Sequence, residues 1–269
     1  MGTILKDRES VSRSKMQNEA KNPIKGTERT ITIVEALKEM DGAKVTELAD
    51  QVGLSKGTVH DYLSTLREHN YVVKEGDEYY VGLGFFEIGE YARNRIQIYH
   101  AAKPEVQKLA EETGELANLL HEEHGLGVYL YRARGENAVT LDTHTGKRRY
   151  LHNTALGKSI LAHMPRDRVD DILDQHGLPQ ETEHTITDRE ELYSELEQIR
   201  DRGYAFCNQE RVEGLHCVAA PLQSRSGDVL GAISIAGPTT RIKGGRLEEE
   251  LPQKVLQAAN VIEINTNFS

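Results

Sequence analysis

Apolar positions in the first third of the chain recur at helical spacing and then give way to alternation. Residues 29–41 (RTITIVEALKEMD) place Ile31, Val34 and Leu37 on one helical face, and Gly42 ends the run. Thr46 suits the N-cap of a short second helix, ELADQV, in which Leu48, Ala49 and Val52 share a face. Gly53 permits a tight turn, and Ser55 caps a third helix, KGTVHDYLSTLREHN, that turns Val59, Leu63 and Leu66 inward. Two β-rich runs, 71–74 and 78–81, flank the turn Glu75-Gly76-Asp77. Three helices and a hairpin within residues 29–82 predict a winged helix-turn-helix.

Residues 83–100 read as a linker helix with an apolar stripe of Phe85, Ile88, Ala92, Ile96 and Tyr99. The stripe has two candidate seats, the same helix of a partner chain or the second domain. From residue 101 the pattern is mixed. A helix at 104–113 precedes strands at 115–122, 127–134 and 138–143, with the loop HTGKRR after them. Helices at 155–163, 166–176 and 188–202 lead to strands at 204–209, 216–222 and 229–236, and a last helix covers 247–265. The order predicts an α+β domain over 101–269 built on one antiparallel sheet. Residues 1–28 are polar and aperiodic, and are expected to be a disordered basic arm.

Composition narrows the function. No apolar run has the length of a membrane span or a signal-peptide core, so a cytoplasmic protein without membrane contact is expected. Cys207 and Cys217 are too few for a disulfide framework, and no C-x-x-C is present. His121 and His124 lack further ligands at metal-site spacing, so neither metal nor cofactor is implied. The net charge of −10 does not itself suggest a nucleic-acid binder. Its distribution matters more: residues 1–30 hold seven basic and four acidic side chains, and residues 1–82 hold 12 and 14. An acidic surface of this kind suits a protein adapted to high salt.

Four segments carry a resemblance. They are VTELADQVGLSKGTVHDYLSTL, HNTALGKSILAHMP, GYAFCNQERVEGLHCVAAPL and VLGAISIAGPTTRI. In this order they resemble the IclR family of transcriptional regulators from about residue 28 to the end. The resemblance implies a GAF-like effector domain that binds a small molecule, a homodimer or dimer of dimers, a double-stranded DNA operator, and control of metabolic genes. Organic acids and sugar acids are the effector class it implies.

A recognition helix lies in the major groove with its N-terminal face on base edges. Here that face carries Ser55, Lys56, Thr58, His60 and Asp61. Lys56 reaches a phosphate or a guanine, Thr58 and His60 suit base edges, and Arg67 and Lys74 suit the backbone. Asp61 departs from the family, which often carries Arg there. It is compatible with DNA where it accepts from a cytosine amino group or pairs with a neighbour.

In the sensing half, Asn153 and Thr154 precede a helix whose first amides, at Ala155, Leu156 and Gly157, suit an anionic ligand. The resemblance places Cys217 and Ser234 on the wall of the effector pocket and sets Cys207 where many members have an acid. Glu210 matches an acidic family position that is structural or ligand-binding. A hairpin pairing of the strands that hold Cys207 and Cys217 would bring the thiols together. The competing reading is therefore a thiol-based redox enzyme or redox sensor using Cys207 and Cys217. No nucleophile–base–acid set stands at a recognised spacing, and an enzyme has no need of residues 29–82.

Overall fold

The computed structural model describes residues 20–267, which divide into two compact units, the first ending along the chain at Arg95 and the second beginning at Ile96. In the first unit the order is α1 (Lys25–Glu39), β1 (Ala43–Lys44), α2 (Val45–Val52), α3 (Lys56–Glu68), β2 (Val72–Glu75), β3 (Glu78–Val81) and α4 (Gly84–Asn94). The strands form an antiparallel sheet in the order β1-β3-β2. Helix α1 starts at Lys25, so the last residues of the expected arm are helical; residues 1–19 of that arm lie outside the described residues. Its buried face is Ile33, Ala36 and Leu37, because that set meets Leu48, Val59, Leu63, Val72 and Tyr79 in one cluster. Ile31, expected inside, is 45% exposed. Thr46 does not cap α2, which begins at Val45. Instead the Glu47 carboxylate accepts from the Lys44 amide at 3.0 Å, the returning half of a capping box.

The expected linker helix over 83–100 is two helices. Helix α4 ends at Asn94, Ile96 takes an extended conformation, and α5 (Gln97–Thr113) carries Pro104 in its interior rather than at its start. The burial pattern explains the break. Ile96, Ile98 and Tyr99 turn into the core of the second unit, whereas Phe86, Ile88 and Tyr91 are 65%, 51% and 71% exposed. One straight helix would have kept Phe85, Ile88, Ala92, Ile96 and Tyr99 on a continuous stripe.

The second unit continues with β4 (Leu116–Glu123), β5 (Leu126–Arg134), β6 (Arg148–Arg149), α6 (Ala155–Ala162), α7 (Arg166–His176), α8 (Arg189–Arg202), β7 (Ala205–Asn208), β8 (Leu215–Gln223), β9 (Val229–Pro238) and α9 (Leu251–Asn267). A π-helical turn, Arg246–Glu250, leads into α9. Among the described residues the sheet is antiparallel throughout, in the order β6-β5-β4-β9-β8-β7. Side chains alternate between its faces. Ala117, Leu119, Val218, Ala220, Ile233 and Ile235 pack with α5 and α9. Leu120, Cys207, Cys217, Ala219 and Ala232 pack with α6, α7 and α8. The strand expected at 138–143 does not form. Its segment is a loop held by Asn137 N–H to Gly114 O at 2.8 Å and by Arg134 to the Thr140 hydroxyl at 3.0 Å.

Candidate functional site

On α3 the inward residues Val59, Leu63 and Leu66 leave Lys56, His60, Ser64 and Arg67 on one outward face at i, i+4, i+8 and i+11. Asp61 flanks this stripe, and its carboxylate lies 3.8 Å from His60 Nδ1, with both side chains well exposed. The structure thus pairs Asp61 with its own neighbour. Ser55 accepts from the Thr58 amide at 3.1 Å, and the two hydroxyls share a hydrogen bond of 2.8 Å. Both are engaged in capping. Arg67 stands about 17 Å along the helix from Lys56, out of reach of the same base edges. Lys74 lies on the hairpin, its ammonium 5.4 Å from the Tyr79 ring centre.

In the second unit a small cleft opens on the α6 face of the sheet. Thr154, Ala155, Leu156, Cys207, Cys217 and Ser234 line it, as do Asn118, Tyr129, Arg132, Thr143 and Arg211. Strand alternation brings them together: Asn118, Cys217 and Ser234 are out of phase with the residues that face α5 and α9. A polar row crosses the floor. Arg132 donates from Nε to Asn118 Oδ1 at 3.0 Å, and Asn118 donates to the Ser234 hydroxyl at 3.2 Å. Burial pulls the Arg132 guanidinium below its usual pKa and pushes the Tyr129 phenol up. The lining holds Arg132 and Arg211 and, among the described residues, no carboxylate.

Helix α6 delivers fewer open donors than expected. Thr154 Oγ1 accepts from the Gly157 amide at 2.9 Å, so that amide is satisfied within the cap. A Cβ on Gly157 would fall 2.1 Å from Leu151 O, so its glycine serves close backbone packing rather than ligand approach. The Ala155 and Leu156 amides remain as the donors of the first turn. Asn153 does not line the cleft. It is fully buried, and neither atom of its side-chain amide has a partner, a state that costs about 1–3 kcal/mol. Thr143 Oγ1 on the cleft wall is likewise buried and unpartnered.

Beneath the cleft, buried Lys158 donates to Glu210 at 2.7 Å and lies 3.6 Å from Glu195. Burial raises the Glu210 carboxyl against the pull of Lys158. Glu210 thus belongs to a buried ion pair and lies outside the lining. His152, hydrogen-bonded to the Pro179 carbonyl at 3.1 Å, has its pKa lowered to about 4 by burial.

The bacterial transcriptional regulator IclR C-terminal family model matches residues 91–264, and the IclR helix-turn-helix domain model matches residues 26–76. The chain belongs to the IclR family. This IclR-family regulator is 36% identical over 238 residues to the probable HTH-type transcriptional regulator ArcR of Halobacterium salinarum, covering 87% of its own chain and 90% of that relative. The solved IclR of Thermotoga maritima superposes on it with a TM-score of 0.78 at 28% identity, over 90% of this chain and 98% of that one. An IclR homolog of Microbacterium hydrocarbonoxydans, complexed with 4-hydroxybenzoate, shares the fold at 21% identity with a TM-score of 0.77, over 90% and 98% of the two chains. The protein is accordingly a DNA-binding transcriptional regulator with a C-terminal effector-binding domain. Among the described residues no helix is long and apolar enough to cross a membrane.

Sequence reasoning did not single out Arg132, Arg211, Asn118, Tyr129 or Thr143. An arginine within the strand YLYRAR was the available sign for Arg132, since a central strand keeps such a residue only where it faces a cavity or a partner. Arg211 sits inside the family signature stretch beside Glu210.

Proposed function

We propose that the α6-side cleft of the second unit binds a small organic anion and that the outward face of α3 reads operator DNA. The observation that carries the first part is the lining itself: two guanidiniums, no carboxylate among the described residues, and the first amides of α6. The acid held by the Microbacterium homolog supports the same class of ligand. In this reading Thr154, Ala155, Leu156, Cys207, Cys217 and Ser234 touch the effector, Asn153 and Gly157 hold the α6 turn, and Arg132 and Arg211 set the preference for anions.

On the DNA side Lys56, His60 and Asp61 face base edges, Ser55 and Thr58 fix the helix start, and Arg67 and Lys74 hold phosphates. Two copies of the chain pair through the exposed apolar face of α4, as a homodimer or as half of a dimer of dimers, because an isologous pairing would cover Ile88 and Tyr91. The regulator acts in the cytoplasm by binding and without chemical turnover.

The test is a thermal-shift screen of small carboxylates, with titration of the best ligand into the wild type and into Arg132→Ala and Arg211→Ala. Each variant is expected to weaken binding at least tenfold while a neutral analogue is unaffected. Carboxylate binding that survives both substitutions overturns the assignment of the cleft.

A further inference from the structure

Cys207 on β7 and Cys217 on β8 are register partners in the antiparallel ladder. Facing residues in such a ladder have Cα atoms about 4.5–5.5 Å apart, inside the range of about 4.4–6.8 Å that a disulfide spans. Alternation sends both side chains to the same face of the sheet, and both line the cleft. Both thiols are free, Cys207 buried and Cys217 partly accessible. Cys207 donates to the Asn153 carbonyl at 3.5 Å. Nothing in the fold has to move far for one sulfur to reach the other.

We propose that Cys207 and Cys217 form a thiol–disulfide exchange site in the cleft wall, which takes low-molecular-weight disulfides and closes to an intramolecular Cys207–Cys217 bond. The accessible residue reacts first. The Cys217 thiolate attacks one sulfur of the small disulfide RS–SR, a Cys217–SR bond forms, and one RS− leaves. The Cys207 thiolate then attacks the Cys217 sulfur, the Cys207–Cys217 bond forms, and the second RS− leaves. The two protons given up by the protein thiols pass to the two leaving thiolates. The protein is oxidised by two electrons and RS–SR is reduced to two RSH.

The surroundings favour the second step. Juxtaposition of the two thiols draws the Cys207 pKa down and pushes that of Cys217 up, so the resolving thiolate forms readily and the first attack, by Cys217, is the slow step. The consequence for the effector rests on the reading of the cleft given above. Closing the bond removes the Cys207 donor from the Asn153 carbonyl, one residue before the α6 N-cap, and alters two adjacent positions in the lining. Oxidation and ligand would then compete for the state of one wall.

The experiment equilibrates the full-length protein against a series of oxidised and reduced glutathione mixtures. Samples are quenched in acid, unfolded, alkylated and weighed by mass spectrometry. The expected result is a single transition in which both alkylatable thiols vanish together and the mass falls by two hydrogens. No glutathione should remain attached, and on a non-reducing gel the chain should run as a monomer. Cys207→Ser is expected to retain one glutathione on Cys217, the trapped first intermediate, whereas Cys217→Ser keeps an unmodified Cys207. Two free thiols at the most oxidising ratio, a stable glutathione adduct on the wild type, or disulfide-linked dimers would each overturn the proposal. Thiol counts do not depend on the cleft holding a ligand, and the carboxylate titration is run on reduced protein. Failure of one reading thus leaves a record distinct from failure of the other.

Discussion

Single residues in the second unit carry large consequences because so many of them are buried without slack. Gly157→Ala would place a methyl group against the Leu151 backbone and is expected to cost about 3 kcal/mol, read as a lowered urea midpoint. Lys158→Met strands the buried Glu210 charge and is expected to cost about 3–5 kcal/mol by the same measurement. His152 gives a pH signature. Its folded pKa of about 4 lies below the 6.5 of the unfolded chain, so the unfolded state binds the proton more readily between these values. Stability from this residue is full above pH 6.5 and is lost as pH falls towards 4, by an amount on the order of 3 kcal/mol. His152→Asn should flatten that part of the stability–pH curve. Chemical denaturation at stepped pH checks it, and an unchanged slope would remove His152 as the cause. Thr154, Cys217 and Ser234 were readable as a cluster, and they do line the cleft, since the motif places Thr154 before α6 and alternation places Cys217 and Ser234 on one face. Arg132 and Arg211 were not, since nothing local says that an arginine faces a cavity until the sheet order is known.

At the scale of elements, α3 and α4 show where local rules hold and where they fail. Ser55 caps α3 through the Thr58 amide, as its position before a helical run suggests. Ser55→Ala is expected to cost about 1 kcal/mol and to weaken DNA binding as the helix start frays, which a melt of residues 20–95 in the whole chain and a gel shift would report. Strand order was only partly legible. The β4–β5 and β7–β8–β9 runs were visible as alternating segments, but the pairing of β4 with β9 joins segments more than a hundred residues apart, beyond any periodicity signal. The predicted helix over 83–100 failed for a related reason. An apolar stripe records that residues are covered, not by what, and here its two halves have different environments. If the proposed pairing holds, Ile88→Asp with Tyr91→Asp is expected to shift the protein from dimer towards monomer in light scattering, with the effector unit still folded by circular dichroism.

For the molecule as a whole, charge sets how DNA is gripped. On the proposed pairing, with Arg67 and Lys74 holding phosphates and Lys56 as one further cation on each copy, a pair of chains would make at most about six such contacts, and the logarithm of affinity should fall against the logarithm of salt with a slope no steeper than about −5. A slope near −10 would require cations beyond these six. The low figure suits a chain that carries a net charge of −10. The break at Arg95 and Ile96 has a separate consequence. None of the buried apolar clusters of the described residues draws side chains from both sides of it. That makes the peptide bond between them a natural splice point: a reader of one operator and a sensor of another metabolite, joined there, would each bring a complete interior of its own.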